Sequence, residues 1–247
     1  MLGIYIVIPI EMYLTCQIVL EKGESLSKEE IFEQLKEAII LGDREMGKVA
    51  ARKGVGAGVS TMDMLIKGCC EGLKVVGVIG EKYRSRQYTL VEVCCAIDAM
   101  GAIVEFIKPS GKIGKVVIGS VENDPHGIGK DLVALMFEAI GFEVHDLGLG
   151  VSSEEFLHKA QETDADLVAA SAATYTATRD QEKLCEMLKR AGIRSRIKYL
   201  VGGFSCTPEW ARHIEADGYG EDALEALKVA EELLKKLKEE RKTRGGL

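Results

Sequence analysis

The amino-acid sequence predicts an α/β protein in which an N-terminal four-helix bundle precedes a five-stranded parallel sheet. From Ser27 to Ile107, apolar residues recur at helical spacing. After Gly111, strand-like and helix-like segments alternate. Because strands that alternate with helices usually pair in parallel, this second pattern predicts a doubly wound sheet. We expect three regions: an N-terminal extension at 1–26, a helical domain at 27–108 and a sheet domain at 112–242.

Composition narrows the class of protein. The chain has 247 residues, of which 47% are apolar and only 6% aromatic, so the predicted core is aliphatic. The formal net charge of −7 argues against a nucleic-acid partner, since such proteins usually carry a basic face. Residues 4–20 are mostly apolar, but Pro9 and Glu11 interrupt them, which argues against a membrane span and a secretory signal. An added strand, a packing arm and a non-natural upstream start all stay open for this segment.

The seven cysteines predict a reduced, cytoplasmic protein. Four of them form the adjacent pairs Cys69–Cys70 and Cys94–Cys95 inside helical patterns, and none belongs to a Cys-x-x-Cys motif. Neighbouring helix positions point about 100° apart. We therefore interpret both pairs as small buried residues and not as zinc ligands.

The helical half divides into four predicted helices with short connections, which together indicate a bundle. The first begins at a capping box in which Ser27 is followed by Glu30. The second follows Asp43 and ends in a glycine-rich stretch. The third and fourth carry apolar stripes over 62–76 and 90–104.

The segment 109–111, of sequence PSG, is predicted to be a loop that ends the helical half before the sheet elements begin. The predicted strands are Lys115–Val121, Phe142–Leu147, Leu167–Ser171, Lys198–Gly202 and Asp217–Tyr219. The predicted helices lie at about 129–140, 153–163, 179–191, 207–213 and 221–242. Ligands of such sheets bind beyond the carboxyl ends of the strands.

The segment Asp124–Gly129, of sequence DPHGIG, connects the first predicted strand to its helix. His126 therefore lies at the carboxyl end of a strand. A carboxylate at Asp124 can accept the second ring N–H of an imidazole whose other nitrogen binds a metal, and nearby glycines let a bulky ligand approach the backbone. A strand-to-helix turn with a chance histidine would produce the same pattern. Ser171 and Gly202 end two further strands at the same edge, which favours a ligand site.

This segment resembles the D-x-H-x-x-G signature of corrinoid (vitamin B12) binding domains. Asp124, His126 and Gly129 fill its three fixed positions. The resemblance extends over roughly residues 29–235. Over this range the chain resembles the corrinoid proteins of methyltransferase systems, which are related to the methionine synthase cobalamin module.

Further motifs support the same family. In the helical half, Ile79–Tyr83 and Tyr88–Glu92 are similar to the family's V-G-x-x-F and Y-F-L-P-E. In the sheet half, the adjacent Gly202 and Gly203 match its paired glycines, and Ala216–Tyr219 matches its A-D-G-Y.

The resemblance implies a helical cap beside a flavodoxin-like (Rossmann-like) cobalamin domain. His126 would bind cobalt in place of the cofactor's own benzimidazole, with Asp124 holding its ring, and small residues would line a slot for the displaced base. The cap would cover the corrin and swing away at a hinge, for which Gly111 and Gly114 are candidates. The implied cofactor-binding residues are Asp124, His126, Gly127, Ile128, Gly129, Ser171, Ala173, Thr176, Gly202, Gly203 and Tyr219.

The chain departs from the family pattern after Ser171. Where relatives commonly have a threonine and then another hydroxyl residue, this chain has Tyr175 and Ala177. The second of those hydroxyls bonds the aspartate of the Asp–His pair in relatives, which Ala177 cannot do. Thr176 or Thr178 would replace it only if the loop shifted.

The function that the resemblance implies is that of a corrinoid carrier protein with no independent turnover. It would receive a methyl group through a substrate-specific methyltransferase and deliver it, through an acceptor methyltransferase, to a thiol or a tetrahydrofolate-type carrier. A reductive activator is a third expected partner. Two alternatives stay open, a B12-dependent sensor and the cobalamin subunit of a radical isomerase. The sequence identifies neither the methyl donor nor the particular corrinoid.

Overall fold

The computed structural model describes residues 26–77, 79 and 89–245. The predicted extension, apart from Leu26, and the motif residues 80–83 and 88 lie outside this range. In the described part, four helices come first. They are α1 (Lys28–Leu41), α2 (Arg44–Gly56), α3 over 61–75 and α4 (Leu90–Ile107).

The helices begin where local capping satisfies their free amide groups. At α1 the Glu30 amide donates to Ser27 Oγ at 3.2 Å, and the Ser27 amide donates to the Glu30 carboxylate at 2.8 Å, which confirms the predicted capping box. Thr89 and Glu92 repeat the arrangement at α4. Helix α3 differs from its prediction because Met64–Cys69 is π-helical.

The sheet half contains five parallel strands in the order β2-β1-β3-β4-β5. The strands are β1 (Gly114–Ser120), β2 (Phe142–Asp146), β3 (Leu167–Ser171), β4 (Lys198–Gly202) and β5 (Gly218–Gly220). The helices are α5 (Ile128–Ile140), α6 (Ser153–Glu162), α7 (Thr178–Arg190), α8 (Pro208–His213) and α9 (Ala223–Gly245). Each strand begins and ends within one residue of its predicted bounds, so the predicted fold class is confirmed.

Alternate residues of each strand face opposite sides of the sheet, and each side has its own core. Val116 and Ile118 pack with α5 and α9, whereas Val117 packs with α6, α7 and α8. The first core continues into the helical half, where Ile103 of α4 belongs to the same buried cluster as Met136 of α5. The two halves therefore share one hydrophobic core.

The cysteine pairs differ in burial. Cys69 and Cys70 are buried as predicted, whereas Cys94 and Cys95 are exposed, so the expectation that both pairs are buried is wrong for the second. The cause is position: Cys94 and Cys95 lie in the first turns of α4, beside the exposed Leu90 and Val91. Among the described helices, none combines the length and the apolar character that a bilayer crossing requires.

Candidate functional site

Loops from four strands and one end of the helical half meet at the carboxyl edge of the sheet and line a cavity of about 930 Å³. The loops follow β1, β3, β4 and β5. From the helical half, Leu90 and Val93 of α4 also line the cavity. The small residues of its wall include Ala169, Ala170, Ser171, Ala173, Gly202, Gly203, Gly220, Ala223 and Ala226.

His126 opens on this cavity and is held by Asp124. The imidazole Nδ1 lies 2.7 Å from Asp124 Oδ1, and the His126 backbone amide donates to the same oxygen at 3.1 Å. The His126 side chain is 60% exposed, whereas the Asp124 side chain is fully buried. Because the carboxylate occupies Nδ1, Nε2 is the ring nitrogen left for a ligand in the cavity.

The second Asp124 oxygen accepts a hydrogen bond from the Ala173 backbone amide. Ala177 is buried and offers no hydroxyl. Thr178 Oγ1 donates to the Tyr175 carbonyl at 2.8 Å, and Thr176 Oγ1 lies 3.3 Å from Thr174 Oγ1. Neither threonine thus provides the hydroxyl contact that the family pattern led us to consider, and a main-chain donor occupies that side of Asp124.

Backbone contacts fix the loop that carries His126. Ser120 Oγ, at the end of β1, donates to the His126 carbonyl at 2.7 Å. The next amide, of Val121, donates to the Ser171 carbonyl at 3.0 Å, which joins this loop to the end of β3. The imidazole therefore projects from a loop that is bonded on both sides to the edge of the sheet.

The glycines of the site differ in what a larger side chain would meet at each position. A Cβ at Gly129, in the first turn of α5, would have no atom of the protein within 4 Å, although Gly129 lines the cavity. Gly203 has a left-handed φ of +108°, and a Cβ there would meet the Ala172 backbone. A Cβ at Gly202 would lie 2.9 Å from the Gly220 carbonyl oxygen. Gly202 and Gly203 are thus required by packing, whereas at Gly129 the space beside the backbone is open to the cavity.

Most residues that the sequence singled out meet around the cavity, but two lie elsewhere. His126, Gly127, Ile128, Gly129, Ser171, Ala173, Gly202 and Gly203 line it, and Asp124 touches it through His126. Thr176 and Tyr219 are not among the lining residues; the nearby Thr174 and Gly220 are. Neighbouring strand residues face opposite sides, and Tyr219 packs against the core on the other face of the sheet.

Other lining residues were not selected from the sequence. They include Val76 and Val93 from the helical half, Lys130 in α5, and Phe204 after the paired glycines. The sequence signal for the helical wall was the motif that contains Leu90, which the structure places, exposed, in the capped first turn of α4.

The donor set suits a metal that brings most of its own ligands. No group of three or more histidine, cysteine or carboxylate side chains in the described residues could hold a metal ion by itself. His126 offers a single imidazole, oriented by a buried carboxylate, beside a large space. A metal already enclosed in a macrocycle would need no more than one such ligand from the protein.

Comparisons with known proteins agree with this geometry. The family model described as the B12 binding domain matches residues 114–228. A dimethylamine corrinoid protein of Methanosarcina acetivorans is 38% identical over 216 residues, covering 85% of this chain and 100% of the relative. The chain belongs to the corrinoid protein family. The predicted family and the predicted cofactor class, cobalamin or a related corrinoid, are confirmed.

Solved structures of corrinoid proteins share the fold. The monomethylamine corrinoid protein of Methanosarcina barkeri has a TM-score of 0.63 and 29% identity, covering 84% of this chain and 100% of that one. A chain from the methanol:cobalamin methyltransferase complex of the same organism has a TM-score of 0.56 and 24% identity, covering 95% and 94% of the two chains. The second similarity concerns the fold alone.

Proposed function

We propose that this corrinoid protein is a methyl carrier that binds its cofactor through His126, with the benzimidazole displaced from cobalt. The observation that supports this most is the His126 imidazole, which opens on the cavity while buried Asp124 engages its Nδ1. A bound corrinoid supplies a cobalt centre that accepts and releases methyl groups. The protein would supply a nitrogen ligand from His126 and a cavity whose apolar residues exclude water.

Each part of the cavity has a role in this proposal. Asp124 keeps the His126 ring in the tautomer whose Nε2 is free to bind the metal. Gly129 leaves room for the macrocycle to approach α5 closely. Leu90 and Val93 face the cavity from α4 and would cover the cofactor with apolar groups that keep water away.

The donor class follows from the relatives. Those named above are called dimethylamine and monomethylamine corrinoid proteins, so we propose a methylamine as the methyl source, reached through a substrate-specific methyltransferase. An acceptor methyltransferase and a reductive activator complete the proposed set of partners. We place the system in the cytoplasm, because the proposed reduction of cobalt and the unpaired cysteines of the described residues suit a reducing compartment.

The first experiment compares wild type, His126→Ala and His145→Ala after reconstitution with hydroxocobalamin. His145 is the matched control, because its Nε2 lies 3.1 Å from Glu143 on β2 and it does not line the cavity. We expect a tight complex whose absorption spectrum reports histidine ligation in wild type and in His145→Ala. In His126→Ala the affinity should fall about 10–100-fold, and the spectrum should change to that of a different axial ligand. A wild-type spectrum in His126→Ala would refute the ligand assignment.

The second experiment tests the carrier role. The reconstituted wild-type protein is reduced, exposed to methyl iodide and desalted, and the bound methyl group is measured with and without a thiol and the acceptor enzyme. Retention of the methyl group followed by its release to the thiol supports a carrier. A protein that resists methylation but retains adenosylcobalamin would instead fit an isomerase subunit.

A further inference from the structure

Lys130 is a buried ammonium group beside the cofactor cavity. Its side chain is only 3% exposed, and it is the one lysine or arginine classed as buried among the described residues. Nζ lies 2.5 Å from Asp131 Oδ1 and 2.5 Å from Asp146 Oδ2. An ammonium at this depth is costly unless its partners stay in place, so the position of Lys130 is coupled to that of both carboxylates.

Asp146 connects Lys130 to the loop that follows β2. Its other oxygen, Oδ1, accepts the Gly148 amide at 2.8 Å. The Gly148 carbonyl in turn accepts the Ser120 amide at 2.9 Å. Lys130, on α5, is thus linked through Asp146 to the loop 147–150, which lies next to the end of β1.

This loop lies directly behind the segment that carries His126. The Gly150 amide donates to the Asp124 carbonyl at 3.2 Å. A Cβ at Gly127 would lie 2.9 Å from Leu149 Cδ2, so the Leu149 side chain abuts the residue that follows His126. The Asp124–His126 segment is thus supported by Ala173 on one side and by the loop 147–150 on the other.

We propose that Lys130 and Asp146 act together as positioning residues, which hold the loop 147–150 against the Asp124–His126 segment and so aim His126 at the metal. This inference rests on the proposed function, because it requires that His126 bind the metal. Neither Lys130 nor Asp146 would touch the reacting atoms. The ion pair would act through the loop, and its loss should weaken the bond between His126 and the metal. Lys130 also lines the cavity, so the Asp146 variant tests the effect of the loop alone.

The test uses Lys130→Met, Asp146→Asn and the double variant in the full chain. Lys159→Met is the matched control, because Lys159 pairs with Glu162 at 2.7 Å on α6 and does not line the cavity. Hydrogen exchange of the apo proteins measures the amides of Gly148 and Gly150. Electron paramagnetic resonance of bound Co(II) cobalamin, with the protein labelled with ¹⁵N-histidine, measures the histidine-ligated fraction.

We expect faster exchange in the loop, a reduced histidine-ligated fraction and about ten-fold weaker cobalamin binding in the Lys130→Met and Asp146→Asn variants. The double variant should resemble Lys130→Met if the two residues act as a unit. Faster exchange with wild-type ligation and affinity would leave only a structural role and overturn the proposal, as would unchanged exchange.

Two controls keep the outcomes distinct. If Lys130→Met does not fold, Asp146→Asn decides the question, because in that variant Lys130 keeps Asp131 as a partner. If wild type itself shows no ligation that depends on His126, the proposed function fails and the positioning role fails with it.

Discussion

At the scale of single residues, the site depends on buried polar atoms that have hydrogen-bond partners. Asp124 is the clearest case: one oxygen accepts from the His126 ring and amide, and the other accepts from the Ala173 amide. A buried carboxylate without such donors would be strongly unfavourable. The sequence pattern D-x-H indicated the first of these contacts, but the contact with Ala173 spans 49 positions and is visible only in the folded chain.

Gly129→Ala should separate stability from cofactor binding. The new Cβ would meet no protein atom and would favour the helix, so the free energy of unfolding of the apo protein should rise by up to about 1 kcal/mol. The same methyl group would intrude on the cofactor, and corrinoid affinity should fall about ten-fold or more. Denaturant unfolding and spectrophotometric titration measure the two effects.

Gly203→Ala is the contrasting variant. Its left-handed φ and its contact with the Ala172 backbone should make this substitution destabilise the apo protein. Equal corrinoid affinity in wild type and Gly129→Ala would contradict the view that the empty space beside Gly129 belongs to the cofactor.

Thiol chemistry should distinguish the cysteine pairs. Burial raises the pKa of the Cys70 thiol to about 12 and that of Cys206 to about 12, and it also raises the pKa values of Cys69 and Cys185. Since the thiolate is the reactive form, these four should react slowly with iodoacetamide at pH 8. The remaining thiols of the described chain, which are exposed in the first turns of α4, should react quickly. Peptide mass spectrometry after timed labelling provides the measurement; rapid labelling of Cys70 in the folded protein would contradict the observed burial.

At the scale of elements, small residues decide how closely the helices approach. A Cβ at Gly68 would lie 2.8 Å from Leu35 Cβ, and one at Gly72 would lie 2.7 Å from Ile39 Cβ, so α3 packs tightly on α1 through two glycines. The helical stripes predicted this bundle, but the π-helical stretch Met64–Cys69 was not predicted. Apolar spacing identifies a buried face without resolving a local change in helical pitch.

Gly72→Ala should destabilise the protein by about 1–3 kcal/mol, because the added methyl group forces α1 and α3 apart. Gly56→Ala is the matched control, since Gly56 also lies in a helix but a Cβ there meets nothing within 4 Å. That control should be neutral or stabilising by up to about 1 kcal/mol. Urea unfolding followed by circular dichroism compares the two, and equal stabilities would argue against close packing of α1 and α3.

At the scale of the whole molecule, the helical half and the sheet half are joined by packing as well as by the chain. Ile103 and Met136 belong to one buried cluster that crosses from α4 to α5. Of the two proposed hinge glycines, Gly114 is the first residue of β1 and packs against Leu234, whereas Gly111 has open space around it. A hinge between the halves therefore fits Gly111 better, and opening would have to expose part of the shared core.

Thermal unfolding of the apo protein should consequently show a single cooperative transition in calorimetry. Cobalamin at about 100 times its dissociation constant should add about 2.7 kcal/mol to the free energy of unfolding. The His126→Ala variant should gain less at the same cobalamin concentration. Two well-separated transitions would contradict a shared core and indicate that the halves unfold independently.

The sequence by itself determined the fold class, the family and the cofactor class. Strand and helix periodicities are local properties, so every strand could be predicted to within one residue. The D-x-H-x-x-G motif is equally local, because its three residues lie within one loop and the helix that follows it.

Only the tertiary structure decided which residues meet around the cavity. It turned Tyr219 away while Gly220 faces in, brought Leu90 and Val93 across from the helical half, gave Asp124 a main-chain donor in place of a hydroxyl, and buried Lys130 between two carboxylates. Each of these depends on strand orientation or on contacts between residues distant in the chain. Such contacts form only when the elements pack, so they cannot be predicted from a local pattern of residues.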